Sequence, residues 1–543
     1  MLAFRIGKAM TTQVLDLQRT VPGRPGGKIR SATWYSLAGI VLFFCYLRLS
    51  STYAENSDMA NILLMGADLL HGNLLLHGWH MSDVSFYPTE LVQYALLESV
   101  LGLSMTTAHV AAALTYTLVV LLTVLLARGT AHGPEAVART LLAGGIMIAP
   151  QLSAGVYAVD LAVGHIGTSV PLLLCWLSID RGGRRWPVPL LSAVLLAWVL
   201  VADPLVEVVG IVPLALVAGL SFTVRLARGQ PRWFDAGLAG AALIGYALAL
   251  AAQAVLRALG GYVVSPVPVQ LRTLAGLPGA APALWRVLDL FGADFRGMRP
   301  GVPLLLALAH LASVALVVAA LGRACGPRCG ATLVDRVLAV GITANLVLYL
   351  GTLTSTQGAH EIAVVLPYAA ALAGRVLAPA LTARARRAGR APSPRVQRHD
   401  GVPAARVSVP AAAGLLVLAG YLAGLGYELT FPSAPPANSA LASWLLAHGL
   451  RSGLAGYWQS SSITVDSGGR VTVRAVTGAL APYQWMTDTR WYDPVRNTAS
   501  FLILQQLPRS GLARLEARFG PASQVYQVDG YTVLTWPRNL LRG

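Results

Sequence analysis

Long apolar segments recur along the whole chain, and the loops between them alternate between arginine-bearing and arginine-free. The segments lie near 32–50, 107–127, 138–150, 166–180, 187–202, 205–224, 236–256, 301–322, 333–353, 361–379 and 407–426. A helix that crosses a bilayer needs about 20 predominantly apolar residues, because unpaired backbone polar groups are not tolerated in hydrocarbon. The pattern therefore predicts an α-helical polytopic membrane protein of about 11 transmembrane helices. Composition agrees: 12% of the 543 residues are charged, against roughly 25% in an average soluble domain. A formal net charge of +17 would suit a nucleic-acid partner, but the arginines fall mostly in short loops between apolar segments, where membrane topology demands them. No nucleic acid is expected.

The arginines also predict the orientation. The tail 1–31 carries Arg5, Lys8, Arg19, Arg24, Lys28 and Arg30 and reads as cytoplasmic. Loops 128–139, 181–186, 225–235, 323–336 and 380–406 each hold at least two arginines and would share that side. Loops 51–106, 151–165, the Asp203–Pro204 turn, 257–300 and 354–360 then face outward; all but 257–300 lack basic residues. Three parts result: the basic tail 1–31, a membrane domain 32–427 whose first external loop is 51–106, and an extracytoplasmic region 428–543. The basic stretch before the first span, about 30 residues, is too long for a typical cleaved leader and reads as part of a signal anchor in the plasma membrane. Cys45 and Cys175 lie in apolar segments and behave as small hydrophobes. The pair in CGPRC, Cys325 and Cys329, lacks further ligands nearby for a metal.

The external loops hold the chemistry. In AENSDMANILLMGADLLHGNLLLHGW (54–79), Ser57 is placed to cap a helix starting at Asp58, and Gly72 to end it. Met59, Ile62, Leu63, Gly66, Leu69 and Leu70 share one face, which predicts a helix along the membrane surface. In WHMSDVSFYPTELVQYALLESV (79–100), Pro88 suits a first helical turn, and Glu90, Tyr94 and Glu98 share a face. Acids at the membrane face beside Trp79, His80 and Tyr87 point to a site at Asp58, Asp83 and Glu90. Asp160 and His165 close the loop 151–165, Asp203 and Glu207 flank the turn VADPLVE, Asp289 and Asp294 lie in LDLFGADF, and His360 and Glu361 open GAHEIAVVLPYAA. By this topology 18 of the 24 carboxylates are external or near that face. An acid-lined cavity at membrane level is expected. Arg257, Arg272, Arg286, Arg296 and Arg299 in the loop 257–300 suit a phosphate or pyrophosphate.

A cytoplasmic N-terminus, a first span running into a large external loop, an acid near that loop's start, a surface helix, and the pattern Gly72–Asn73 to Gly78–Trp79 together resemble the GT-C class of integral-membrane glycosyltransferases. The resemblance covers the topology and residues 30–105. It implies transfer of a hexosyl or pentosyl group from a polyprenyl-phosphate-linked donor to an extracytoplasmic glycan or protein acceptor. It also implies a catalytic acid at Asp58, with Glu55 as the backup; Asp83 is a further catalytic candidate from its place among the acids of the loop. Expected substrate-binding residues are Glu90, His80, Trp79, Tyr87, Asp203, His165, His360, Glu361, Arg272 and Arg296. Many members of the class pair adjacent acids in this loop; here the sequence is ENSD, and no metal or other cofactor is predicted. The competing reading is a transporter or flippase of lipid-linked or anionic solutes, which should show internal repeats and mid-membrane polar residues. No clear repeat is present, and the polar residues cluster at one face. A third reading is a non-enzymatic assembly subunit.

From 428 the composition shifts. Pro432, Pro435 and Pro436 make a linker, LASWLLAHGL (441–450) reads as a helix ended by Gly449, VTVRAV (471–476) as a strand, and LARLEARFG as a helix. SQVYQV and YTVLTW form a hairpin across Asp529–Gly530. This is a small α/β domain. Tyr457, Trp458, Tyr483, Trp485, Trp491 and Tyr492 either form its core and dock it on the membrane part, or stack on sugar rings.

Overall fold

A computed structural model describes residues 26–149, 164–265, 270–326, 330–353, 358–388, 409–505 and 509–542. The helices are α1 (Gly26–Ser50), α2 (Ser57–Leu70), α3 (Glu90–Leu101), α4 (Met105–Arg128), α5 (Gly133–Ile148), α6 (Ser169–Arg181), α7 (Pro187–Ala202), α8 (Val212–Ala227), α9 (Trp233–Ala258), α10 (Ala281–Leu290), α11 (Val302–Ala324), α12 (Leu333–Gly351), α13 (Val365–Ala388) and α14 (Val409–Glu428), with α15 (Ser439–Ala447), α16 (Tyr457–Asp466) and α17 (Arg509–Phe519) in the C-terminal region. Each of the eleven apolar segments coincides with a helix. Asp160, the basic tail as far as Arg24, most of the arginines of 380–406, and Cys329 lie outside the described residues.

Seven helical segments among the described residues are long and apolar enough to cross a bilayer: Thr33–Ser50, Met105–Arg128, Glu207–Ala227, Trp233–Ala258, Val302–Ala324, Leu333–Gly351 and Ala359–Ala383. By contrast, α5, α6 and α7 have 16, 13 and 16 residues, and at about 1.5 Å per residue they fall short of a ~30 Å hydrocarbon core. The shortest, α6, lies within the bundle. Its Leu172, Leu173, Cys175 and Trp176 are fully buried, so one side of it packs on protein along its middle.

Buried polar contacts fix the bundle. Trp176 Nε1 donates to Tyr368 Oη at 2.7 Å, and Tyr368 Oη donates to the carbonyl of Val209 at 3.2 Å. At the end of the bundle where α4, α6 and α12 meet, Arg375 of α13 donates to Asp180 at 2.7 Å and to the carbonyl of Leu126 at 2.8 Å, and pairs with Asp335. Asp335 also completes a capping box with Thr332 at the start of α12. One guanidinium thus ties four helices.

The C-terminal region carries a five-stranded sheet in the order β4–β3–β6–β8–β7, formed by β3 (Ser452–Ala455), β4 (Thr472–Ala475), β6 (Phe501–Leu504), β7 (Gln524–Val528) and β8 (Tyr531–Thr535). The β7–β8 hairpin turns at Asp529 and Gly530, both with positive φ, as a two-residue turn requires. Strand β3, helix α16 and β4 form a parallel crossover unit. Gly453 of β3 lies under Phe501, whose ring a Cβ would meet at 2.2 Å.

A second, smaller sheet joins distant parts of the chain. Strand β1 (Trp79–Met81) in the first long loop pairs in parallel with β2 (Val263–Val264) and antiparallel with β5 (Thr487–Asp488). Three segments separated by hundreds of residues therefore meet at one place.

Candidate functional site

The helix α2 opens on Asn56 rather than Ser57: the Asn56 side chain accepts from the amide of Met59 at 3.1 Å, and Ser57 is buried in the first turn. Both are good capping residues, and the extended backbone at Asn56 decides between them. The helix closes at His71, with Gly72 at φ +94° just beyond it. Pro88 likewise stands in the turn before α3, whose first residue is Glu90.

Asp58 sits in the first turn of α2 and accepts a hydrogen bond from the phenol of Tyr457, the first residue of α16. Asn61, one turn along, donates to the same phenolic oxygen at 3.3 Å. Burial pushes the Asp58 carboxyl up, opposed by the Tyr457 hydrogen bond.

The Gly72–Asn73 to Gly78–Trp79 pattern is a structural hub. Asp68 Oδ2 accepts from Asn73 Nδ2 at 2.6 Å, from Trp79 Nε1 at 2.8 Å and from Arg490 Nη2 at 2.7 Å. Arg490 also holds Asp488 of β5 at 2.5 Å. Gly78, at φ +88°, leaves no room for a side chain: a Cβ would fall 2.6 Å from Asp488 Oδ1. Trp79 is 1% exposed and packs edge-on against Trp491 at 5.1 Å, so it serves packing. His80, next along β1, points to the opposite face and is half-buried.

A polar cluster forms where the segment after β1 docks on the end of α7. The amides of Ser85 and Phe86 both donate to the carbonyl of Ala202, at 3.1 and 3.2 Å, which brings Asp83, Tyr87 and Glu90 beside Asp203. Tyr87 stacks edge-on against Tyr262 at 5.8 Å. Asp203, 1% exposed, accepts from His165 Nδ1 at 2.7 Å, Thr168 Oγ1 at 2.5 Å and the amide of Leu205 at 2.9 Å. The rings of His165 and His360 lie parallel with centroids 6.3 Å apart. Glu361 follows His360 and, with Asp83, acts electrostatically on His165. The Glu90 carboxyl presses on Gly167, where a Cβ would lie 2.0 Å from its Cδ.

The charges of this cluster differ by environment. Burial alone would raise the Asp203 carboxyl, but His165 and the three hydrogen bonds outweigh it and hold the group below its usual value. Burial works against the His165 cation, yet Asp203, then Asp83 and Glu361, carry it up to about 9. Glu90 is raised by burial, and then by Asp203, to about 8. Asp83 is raised by burial and opposed by His165. At neutral pH the cluster therefore holds an imidazolium, an ionised Asp203 and a protonated Glu90.

The arginines of the third long loop divide. Arg296 forks onto Asp294 at 2.9 and 2.6 Å and lies over the Trp285 ring at 4.3 Å; Arg286 donates to Asp289 at 3.0 Å. Arg272 is held by its own amide, which donates to the carbonyl of Gly351 at 2.7 Å, while its Nε and Nη2 are buried without a hydrogen-bond partner. Glu55 stands apart from both groupings. It faces His109 at 3.6 Å and lines a groove of about 380 Å³ with Asp466 and Arg470. Among the described residues no group of three or more His, Cys, Asp or Glu side chains is arranged to hold a metal ion.

Of the residues expected to bind substrate, Glu90, Asp203, His165, His360 and Glu361 come together, and Asp83 joins them. Asp58 forms its own grouping with Tyr457. Tyr457 was legible only as an aromatic of the C-terminal region; nothing in the sequence links it to Asp58, 399 positions away.

No family model and no curated protein matches this chain. Solved structures do, among them two of one protein. The crystal structure of ArnT from Cupriavidus metallidurans bound to undecaprenyl phosphate aligns at TM-score 0.52 and 14% identity, over 94% of this chain and 98% of that one. The apo form aligns at TM-score 0.54 and 12% identity, with the same coverage. The chain shares the fold of these ArnT structures along nearly its whole length.

Proposed function

We propose that this protein is a membrane glycosyltransferase that moves a sugar from a polyprenyl-phosphate carrier to an acceptor at the outer face of the plasma membrane. The observation that carries the proposal is the end-to-end likeness in fold to a protein solved with undecaprenyl phosphate, in a chain whose first long loop is an arginine-free stretch of acids at the membrane surface.

The candidate base follows by elimination. Asp203 is occupied by three donors, and Glu90 keeps its proton at neutral pH. Glu55 is directed at His109. Of the acids that the sequence nominates as catalytic, Asp58 and Asp83 remain, and the resemblance to the GT-C class favours Asp58, the acid near the start of the first loop. Asp58 takes the proton of the acceptor hydroxyl, whose oxygen attacks the anomeric carbon. The bond from that carbon to the phosphate oxygen breaks, and the electron pair leaves on the polyprenyl phosphate. Arg272, with two buried unpaired donors, and the His165 imidazolium are the cations that would steady the departing phosphate. The residues in 428–543 are proposed to share the outer face with the first loop, to which β5 and Arg490 bind them.

Purified protein in lipid, given radiolabelled polyprenyl-phosphate sugars and an envelope acceptor fraction, tests this. Transfer by the wild type that is lost in Asp58→Asn and kept in Asp83→Asn is the expected result. Loss in Asp83→Asn alone moves the base to the His165 cluster, and wild-type protein inert with every donor counts against the enzyme.

A further inference from the structure

The phenol of Tyr457 is 8% exposed and is held on several sides. It donates to Asp58, receives a hydrogen bond from Asn61 at 3.3 Å and touches Met486 Sδ at 3.5 Å. Its ring packs on Tyr483 at 5.0 Å and on Trp458 at 5.2 Å. Helix α2 and the segment 483–486 thus hold one hydroxyl on one carboxylate oxygen, and the hydroxyl comes from α16 in the C-terminal region. The titratable groups facing Asp58 are Tyr457 and, behind it, Tyr483. Glu55, three residues earlier, faces His109 and acts on Asp466 instead.

We propose that Tyr457 is a positioning residue for Asp58, so that the reactive carboxylate of the first loop is set by the docked C-terminal region. The inference rests on the reading of Asp58 as the base. An acid that must accept a proton along one direction loses efficiency when it can rotate, and a donor on one oxygen leaves the other for the acceptor. The same donor favours the ionised form. Removing the hydroxyl therefore lets the carboxylate swing and makes it hold its proton to higher pH. Replacing Tyr483 by Phe leaves the Tyr457–Asp58 contact intact.

The test compares wild type, Tyr457→Phe, Tyr483→Phe and Asp58→Asn. Carbodiimide labelling of Asp58, followed across pH by peptide mass spectrometry, needs no substrate. The expected result is a labelling midpoint that moves to higher pH in Tyr457→Phe and stays put in Tyr483→Phe. In the transfer assay Tyr457→Phe should lose roughly ten- to a hundredfold in kcat with little change in KM, the scale of one charge-assisted hydrogen bond. An unmoved midpoint in a folded Tyr457→Phe protein overturns the inference. So does a loss of transfer that appears only with a lowered melting temperature and an unchanged pH profile. Full transfer by Asp58→Asn overturns the underlying reading instead, whatever Tyr457→Phe does.

Discussion

Asp203→Asn should switch off the charge on His165. In the wild type His165 Nδ1 faces Asp203 Oδ2 at 2.7 Å, with the two side chains 13% and 1% exposed, so solvent screens the pair little. Between the ordinary imidazole value of 6.5 and about 9 lies about 3 kcal/mol of preference for the imidazolium. Asp203 is the largest source of that preference, ahead of Asp83 and Glu361, while burial opposes it. Asparagine preserves the shape and removes the largest source of that preference, so the midpoint should fall well below 9. At pH 7.5 the charged fraction, about 97% with the midpoint at about 9, would drop with it. Diethyl pyrocarbonate acylates only neutral imidazole, and peptide mass spectrometry reads His165 separately. The modification rate at pH 7.5 should rise at least tenfold in Asp203→Asn, with its pH midpoint displaced downward. An unchanged rate in a folded variant would refute the claim that Asp203 sets the charge of His165. If the imidazolium steadies a departing phosphate, transfer by the variant should also recover as pH falls toward 6.

Three further outcomes follow from the same geometry. Glu90 keeps its proton up to about pH 8 while an unfolded chain releases it near 4.5; a raised carboxyl stabilises the fold fully below 4.5 and loses that contribution as pH rises to about 8. Glu90→Gln, which cannot ionise, should match the wild type in acid and exceed it by a few kcal/mol in melting experiments at pH 8. Gly78→Ala forces a Cβ to 2.6 Å from Asp488 Oδ1 at a φ of +88° and should cost about 2–4 kcal/mol, whereas Gly183→Ala, at positive φ but in open space, should cost about 1 kcal/mol. Arg272→Ala should weaken retention of the lipid-phosphate donor roughly tenfold or more, measured as KM or as binding of undecaprenyl phosphate, while Arg296→Ala, whose side chain is already satisfied by Asp294, should change it by less than about threefold.

The helical membrane architecture was legible because it depends on local apolar content, which arginine placement then orders along the chain. The β7–β8 hairpin was legible for a similar reason: Asp529–Gly530 is a turn signal between two short β-rich runs. Strands β3 and β6 escaped, since SGLA holds only four residues with a glycine and FLIL shows no alternation; the buried packing of Gly453 under Phe501 makes them strands. Helix α16 begins YWQSSS, a poor helical sequence, and owes its form to packing on α2 and β4. In the candidate site, acids at the ends of apolar segments pointed to Asp203, His165 and Glu361, because an ionisable group at that depth needs a partner. The dual role of Asp68 in holding Trp79 and Arg490 was not legible. Its second partner is more than 400 positions away, and no periodicity reports such a distance.

The three-stranded sheet has a consequence for how the protein is made. Strand β1 is complete at Met81, but its partner β5 does not exist until Asp488 has been synthesised. At about 5–20 residues per second, the ribosome needs about 20–80 s to cover that interval. Throughout it, one edge of β1 stays unpaired, Asp68 lacks Arg490, and Asp58 lacks Tyr457. The first loop is thus assembled last although it is translated first, and a nascent chain that has already placed every membrane helix still has an unfinished centre.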